Sequence, residues 1–193
     1  QYRYGGAQWQ LAGGIAEVVS GKTWAQLIDD IYVQPCELDA TGYGNHFAAA
    51  AFEASNNDLV AYPAFFDGDP ANLSRTNNPN IEGGAYTTVH DYGKILLMHL
   101  RGGLCGEHRV LSNAAVSRML EDRIGPAYGG VSLDPDYPGY GLGWFLDLDN
   151  GIAADGGAYG SSPWIDPEHG YAVMVILEAD FAFGGRLRDQ LRP

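Results

Sequence analysis

Lysine is the scarcest charged residue of this 193-residue sequence, since only Lys22 and Lys94 are present. Eleven lysines and arginines stand against 24 aspartates and glutamates, which gives a formal net charge of -13 at pH 7. So acidic a chain repels phosphate groups and has few cations to replace the counterions of a nucleic acid. The composition therefore excludes nucleic acids and anionic membrane surfaces as expected partners.

Long apolar runs are also missing, because no stretch approaches the roughly 18 consecutive apolar residues that a membrane-spanning helix needs. The two cysteines, Cys36 and Cys105, are too few for a disulfide framework, and no Cys-x-x-Cys spacing occurs. Two buried free thiols are the favoured interpretation, and a disulfide between them is the alternative.

Several catalytic and binding motifs are absent. There is no Gly-x-Ser-x-Gly nucleophile elbow, and the five histidines show no His-Glu-x-x-His spacing. The sequence Ser20-Gly21-Lys22-Thr23 ends like a phosphate-binding loop, but Ala16 stands where that loop needs glycine. The Asp-rich turns at 67–69 and 147–151 lack the distal glutamate of an EF-hand. We therefore predict no metal site and no cofactor.

Hydrophobic periodicity changes from a helical to an alternating pattern along the chain. Helices are predicted over 9–20, from the Thr23 cap to Pro35, from the Thr88 cap to 100, from the Ser112 cap onward, and over 181–191. A further short helix is predicted over 47–54, and strands over 140–148, around Ala153, and over 162–165 and 171–177. Helices that precede antiparallel strands indicate an α+β fold.

The predicted organisation is a mainly helical lobe over 1–125, with a long loop excursion at 42–82, followed by antiparallel strands and a C-terminal helix over 126–193. Short turns such as Asp149-Asn150-Gly151 separate the strands, which favours hairpins. Both parts are interpreted as one structural unit.

Five segments, taken in order, carry a family resemblance. Tyr4-Gly5-Gly6 and the following helix resemble a Tyr-x-Asn element, and Tyr140-Gly141-Leu142-Gly143-Trp144 resembles a Tyr-Gly-Leu-Gly-Trp strand. The remaining segments lie at 34–41, at 83–92, and at 155–160 followed by 165–170. Together they resemble the serine β-lactamase and penicillin-binding-protein-like hydrolases, a group that includes class C β-lactamases, D,D-peptidases, amidases and esterases. The resemblance implies the antiparallel sheet and helical lobe of that fold, and a periplasmic or secreted location.

The resemblance also implies a Ser-x-x-Lys pair upstream of the tyrosine element, with the serine as nucleophile. None of the serines in this sequence is followed by lysine at that spacing. We therefore expect a complementary N-terminal chain or fragment to carry the pair and to complete the sheet. This chain would then be the larger fragment of a serine hydrolase or acyltransferase that acts on a small-molecule ester or amide.

The candidate site residues follow from the same alignment of motifs. Tyr4 matches the catalytic tyrosine, a proton shuttle once the absent lysine lowers its pKa. The backbone N–H of Ala158 is the expected half of an oxyanion hole. The expected substrate-binding residues are Gly6, Asp155, Gly156 and Gly157.

Two departures from the family pattern concern the substrate. Gly6 replaces an asparagine whose amide would hold the acyl side chain, and Asp155 replaces a lysine or histidine that would attract a substrate carboxylate. These changes disfavour β-lactamase and carboxypeptidase activity. A site with these two residues would still accept neutral esters or substrates with a free amine. They also keep a second hypothesis open, a non-catalytic β-lactamase-like domain that binds a ligand or a protein.

Overall fold

The computed structural model describes residues 2–43, 79–158, 160–177 and 179–192. The chain divides into two compact units, one formed by residues 5–92 and the other by residues 1–4 together with 93–193. The predicted helix at 47–54 and most of the predicted loop excursion lie outside the described residues. No helix in the described ranges combines the length and apolar composition needed to cross a membrane.

The unit of residues 5–92 is mainly helical. Its described elements are α1 (Ala7–Ser20), α2 (Trp24–Ile28), a π-helical turn (Asp29–Val33), α3 (Gln34–Cys36), β1 (Gly42–Tyr43), β2 (Ala85–Tyr86) and the start of α4 (Val89–Leu100). Gly21 ends α1 in the left-handed conformation, with φ of 69°. Thr23 then caps α2 in a reciprocal arrangement with Gln26, as its position in the sequence predicts.

The second helix was expected to end at Pro35. The helical path includes Pro35 and ends one residue later, at Cys36. Glu37 follows with φ of 51° and terminates the helix in the left-handed region.

The second unit contains a five-stranded antiparallel sheet in the order β5-β6-β7-β8-β9. The strands are β5 (Gly139–Tyr140), β6 (Phe145–Asp147), β7 (Ile152–Ala154), β8 (Ser162–Asp166) and β9 (Tyr171–Val175). Helices α5 (Asn113–Met119), α6 (Ile124–Tyr128) and α7 (Phe181–Leu191) and the small hairpin of β3 (Leu104–Cys105) and β4 (His108–Arg109) complete it. The mixed helices and antiparallel sheet confirm the predicted α+β class.

A single strand over 140–148 was expected, but the structure has two strands that pair with each other. Tyr140 lies opposite Phe145, and the chain turns between them. Gly143 adopts φ of 89°, which a side chain rarely tolerates, and a Cβ on Gly141 would collide with the carbonyl oxygen of Met119. The two glycines therefore provide a turn where alternation alone suggested continuous strand.

The hydrophobic cluster around Trp164 lies on one face of the sheet. Cross-strand partners share a face, and the register links Phe145 to Ala154, Ala154 to Trp164, and Trp164 to Val173. Trp164 and Tyr137 are fully buried in this cluster. Burying aromatic side chains of this size supplies a large part of the hydrophobic stabilisation of a small unit.

The helix boundaries follow local capping. Ser112 caps α5 by accepting a hydrogen bond from the N–H of Ala115, and Asp180 caps α7 by accepting one from Phe183. Both starts agree with the sequence analysis. Helices α5 and α6 belong to the same compact unit as the sheet. The predicted boundary near residue 125, between a helical lobe and the strands, stays a prediction.

The cysteine prediction was wrong. Cys36 and Cys105 are both buried, and both are disulfide-bonded, so the described residues include no free thiol. The number and spacing of cysteines do not encode which residues the fold brings together, and the sequence therefore could not decide between thiols and a disulfide.

Candidate active site

Tyr4 lies on the hairpin of β5 and β6. Its ring makes an edge contact with Tyr140, with centroids 6.0 Å apart, and a tilted contact with Phe145 at 5.7 Å. Such aromatic pairs contribute about 0.5–1.5 kcal/mol beyond the burial of area. The side chain remains 37% exposed. The sheet therefore fixes the ring, and solvent or a ligand can still reach the tyrosine.

Residues 155–158 extend β7 beyond its last strand residue. The Asp155 N–H donates to the carbonyl of Pro163 at 3.1 Å, and the Gly157 N–H donates to that of Ser161 at 2.8 Å. The Gly160 N–H in turn donates to the carbonyl of Gly157 at 3.0 Å. Asp155 therefore lies at a regular strand end, and Ala158 directly follows a residue that hydrogen bonds hold on both its N–H and its carbonyl.

The backbone N–H of Ala158 makes no hydrogen bond within the described part of the chain. Ala158 is exposed, and its φ is negative, as for every described non-glycine residue apart from Glu37. An exposed N–H without a partner in the described part of the chain can donate to an incoming acceptor. The role of Ala158 in an oxyanion hole stays a prediction.

The two glycines before Ala158 lie where a side chain would not fit. A Cβ on Gly156 would come within 2.5 Å of the Phe181 ring, and one on Gly157 would collide with the Ser161 hydroxyl. The segment is thus packed closely against α7 on one side and the start of β8 on the other. Glycine at both positions allows the strand end to keep its path.

Asp155 is partly buried, and desolvation raises the pKa of its carboxyl from 3.8 to about 7. Within the described ranges its carboxylate has neither a hydrogen-bond donor nor a cation beside it. A carboxylate in apolar surroundings without a partner is unusual, and strongly shifted groups are enriched at functional sites.

Gly6 belongs to the other unit, where it is the residue before α1. The space beside its Cα is filled by the carboxylate of Glu82, which a Cβ on Gly6 would strike. The sequence analysis missed Glu82, since nothing but its position before Gly83-Gly84 distinguishes it. The structure thus brings Tyr4, Asp155, Gly156, Gly157 and Ala158 into one compact unit, and Gly6 lies in the other.

Asp39, His90 and Asp91 are the one cluster, in the described ranges, whose ligand atoms lie close enough together to share a metal ion. The buried Asp91 already accepts hydrogen bonds from the Ala40 N–H at 2.7 Å and from Thr41 Oγ1 at 3.0 Å. These hydrogen bonds give Asp91 a structural role, since they fix the chain that follows α3. The expectation that the protein has no metal site stays a prediction.

Comparison with known protein families gives a match to the Beta-lactamase family over residues 1–191. The chain belongs to the β-lactamase family. The comparison with curated protein sequences gives no match. Membership of this family carries with it the β-lactamase and transpeptidase fold and, at the level of the family, serine-type acyl transfer.

Solved structures agree on the β-lactamase fold. A candidate β-lactamase from Bacteroides dorei superimposes with a TM-score of 0.63 at 22% identity, over 99% of this chain and 57% of its own. The hydrolase EstCE1, which has promiscuous acyltransferase activity, superimposes with a TM-score of 0.63 at 20% identity, over 89% of this chain and 50% of its own. For simvastatin synthase (LovD) from Aspergillus terreus the TM-score is 0.65 at 15% identity, over 93% of this chain and 52% of its own. The chain therefore spans little more than half the length of these relatives.

Proposed function

We propose that this chain forms part of a serine-dependent hydrolase or acyltransferase that acts on an ester or amide through an acyl-enzyme. The open N–H of Ala158, which follows the hydrogen-bonded Gly157 beyond the end of β7, is the observation that carries this proposal. A donor fixed before the reaction stabilises the developing oxyanion without reorganisation, and removal of such a donor typically costs about 10²–10³ in rate.

The serine nucleophile and its lysine come from a Ser-x-x-Lys segment outside these 193 residues. The lysine lowers the pKa of the Tyr4 phenol, which then carries the proton between the serine and the leaving group. The packing of Tyr4 against Tyr140 and Phe145 supports this role, because a proton carrier needs a fixed position. Gly156 and Gly157 allow Phe181 and Ser161 to pack closely against the strand end.

Two surfaces support a complementary segment as partner. On α1, a stripe of apolar side chains is exposed: Leu11 at 67%, Ile15 at 55%, Val18 at 85% and Val19 at 81%. In the sheet, β9 lies at the end of the strand order and pairs with β8 alone among the described strands. An exposed apolar stripe and an unpaired sheet edge are both surfaces that proteins ordinarily cover. The length of the solved relatives supports a partner large enough to do so.

A fluorophosphonate probe tests the nucleophile. We expect it to label a serine of the complete protein, with the labelled peptide containing Ser-x-x-Lys. Absence of a labelled serine would contradict the proposal.

Ala158→Pro tests the oxyanion donor. Proline is compatible with the negative φ of Ala158, and it removes the N–H. We expect turnover of an ester such as p-nitrophenyl butyrate to fall about 10²–10³-fold. Ala158→Gly, which keeps the N–H, is the matched control, and an equal loss in both variants would remove Ala158 from the oxyanion hole.

A non-catalytic β-lactamase-like binding domain is the second candidate. Glu82 beside Gly6 and the unpaired Asp155 favour it, because both place a carboxylate where the family pattern has an amide or a cation. A complete protein that binds small ligands but whose serines resist the probe would establish this candidate instead.

A further inference from the structure

Asp147, the last residue of β6, holds the turn that leads to β7. One carboxylate oxygen accepts hydrogen bonds from the N–H groups of Asp149 at 3.1 Å and Asn150 at 3.0 Å. The other oxygen accepts them from the side-chain amide of Asn150 and the guanidinium of Arg192, both at 2.9 Å. The Gly151 N–H donates to the carbonyl of Asp147, also at 2.9 Å. One buried residue therefore fixes both the backbone of this turn and the Asn150 side chain.

Asn150 and Gly151 form the only Asn-Gly pair of the sequence. In such a pair the backbone nitrogen of the glycine can attack the side-chain amide carbon of the asparagine, because glycine carries no Cβ that would hinder the approach. A bond forms between this nitrogen and Cγ, the bond between Cγ and Nδ2 breaks, and Nδ2 leaves as ammonia with the proton of the former N–H. Water then opens the resulting succinimide ring, which leaves an aspartate or an isoaspartate.

Neither crowding nor burial opposes this reaction in the folded protein. Both residues are exposed, and the space in which a Cβ of Gly151 would lie is open. Asn150 also lines an open cavity of about 500 Å³, so water reaches its side chain. What opposes the reaction is hydrogen bonding, since the Gly151 nitrogen must release its proton and the Asn150 amide must rotate toward it. Asp147 holds both groups.

We propose that Asn150 is a site of spontaneous deamidation and that Asp147 controls its rate. Each opening of the turn frees the Gly151 N–H and the Asn150 amide together, so the reaction proceeds from the opened turn. The site precedes β7, at the opposite end of that strand from residues 155–158. The inference therefore does not depend on the catalytic proposal.

Deamidation destabilises the turn once it has occurred. An amide donor that lies 2.9 Å from the Asp147 carboxylate becomes a second carboxylate, and the two like charges repel. The charged residues that line the cavity are already four aspartates and one arginine: Asp136, Asp147, Asp149, Asp189 and Arg192. The new negative charge therefore adds to an acidic surface, and the turn closes less readily around it.

Mass spectrometry of proteolytic peptides measures the loss of the amide from Asn150 during incubation at pH 8, and chromatography separates the aspartate and isoaspartate products. We expect deamidation to be about tenfold or more slower in the folded protein than in the same protein unfolded in urea. Equal rates in the two states, or no deamidation in either, would overturn the inference. This comparison needs no variant, so it does not depend on how a substitution affects folding.

Two variants test the control by Asp147. Asp147→Ala removes both acceptor oxygens of the side chain, and Asp147→Asn keeps its size but loses one of them. Both should speed deamidation of the folded protein about threefold or more, because the turn opens more often. Asp149→Ala, which removes a neighbouring exposed carboxylate, is the matched control and should leave the rate unchanged. Equal acceleration in all three variants would show that Asp147 does not control the reaction.

Asn150→Asp imitates the aspartate product and tests the effect on the turn. It should lower the urea concentration at the midpoint of unfolding at pH 8, because two carboxylates then face each other. Asn113→Asp adds the same charge at the exposed start of α5, where a helix N-terminus favours a carboxylate, and should not lower the midpoint. An unchanged midpoint for Asn150→Asp, or an equal loss in both variants, would contradict the destabilised turn.

Discussion

Replacement of Asp155 by asparagine should stabilise the protein, and the gain should depend on pH. The carboxyl has a pKa of about 7 in the folded protein, compared with 3.8 as its ordinary value. Between these two values the folded state retains a proton that the unfolded state has released. Stability therefore falls as pH rises through this window, and it is constant again above about pH 7.

The magnitude follows from the size of the shift. A difference of about three pKa units corresponds to about 4 kcal/mol, at 1.36 kcal/mol per unit. Asparagine has a similar volume and no charge. The free energy of unfolding of Asp155→Asn should therefore be close to that of the wild type at pH 4 and exceed it by up to about 4 kcal/mol at pH 8.

Urea unfolding followed by tryptophan fluorescence at pH 4, 5.5, 7 and 8 measures this difference, provided that the slope with denaturant is unchanged. The other carboxyls titrate in both proteins, so their contributions cancel in the difference. Glu168→Gln removes an exposed carboxyl and should change stability by less than about 0.5 kcal/mol at any of these pH values. A difference for Asp155→Asn that does not vary with pH, or that reverses in sign, would refute the desolvation argument.

Two more substitutions test the surroundings of the site. Tyr4→Phe keeps the ring contacts with Tyr140 and Phe145, so the free energy of unfolding should change by less than about 0.5 kcal/mol. Ester turnover by the complete protein should fall about 10²–10⁴-fold, because the hydroxyl that carries the proton is gone. Unchanged turnover would show that Tyr4 takes no part in proton transfer. Gly156→Val should cost about 1–3 kcal/mol in urea unfolding, because its Cβ would meet the Phe181 ring. In a protein that already carries Phe181→Ala, Gly156→Val should cost much less stability, because the ring that the new side chain would meet is gone. Purely additive effects of the two substitutions would show that the two residues do not clash.

Periodicity and capping residues predicted much of the local structure. Thr23 and Ser112 start helices because their hydroxyls accept the free N–H groups of a first turn, and that chemistry depends only on residues three positions away. The C-terminal helix over Phe181–Leu191 begins after Asp180 for the same reason. The order of the motifs, from Tyr4-Gly5-Gly6 to Asp155-Gly156-Gly157, was also sufficient to predict the β-lactamase-type fold.

Contacts between residues far apart in the sequence required the tertiary structure. The turn at Gly141 and Gly143 depends on the approach of the Met119 carbonyl, and the filled space beside Gly6 depends on Glu82. The oxidised state of Cys36 and Cys105 likewise follows from folding and not from their spacing.

Asp155 shows the same division most clearly. The sequence by itself determined that an acidic residue precedes Gly156-Gly157 at a strand end, because local hydrogen bonding and alternation specify the strand. Only the tertiary structure decided that this carboxyl is desolvated and lacks a partner, since desolvation is set by all the atoms packed around a group.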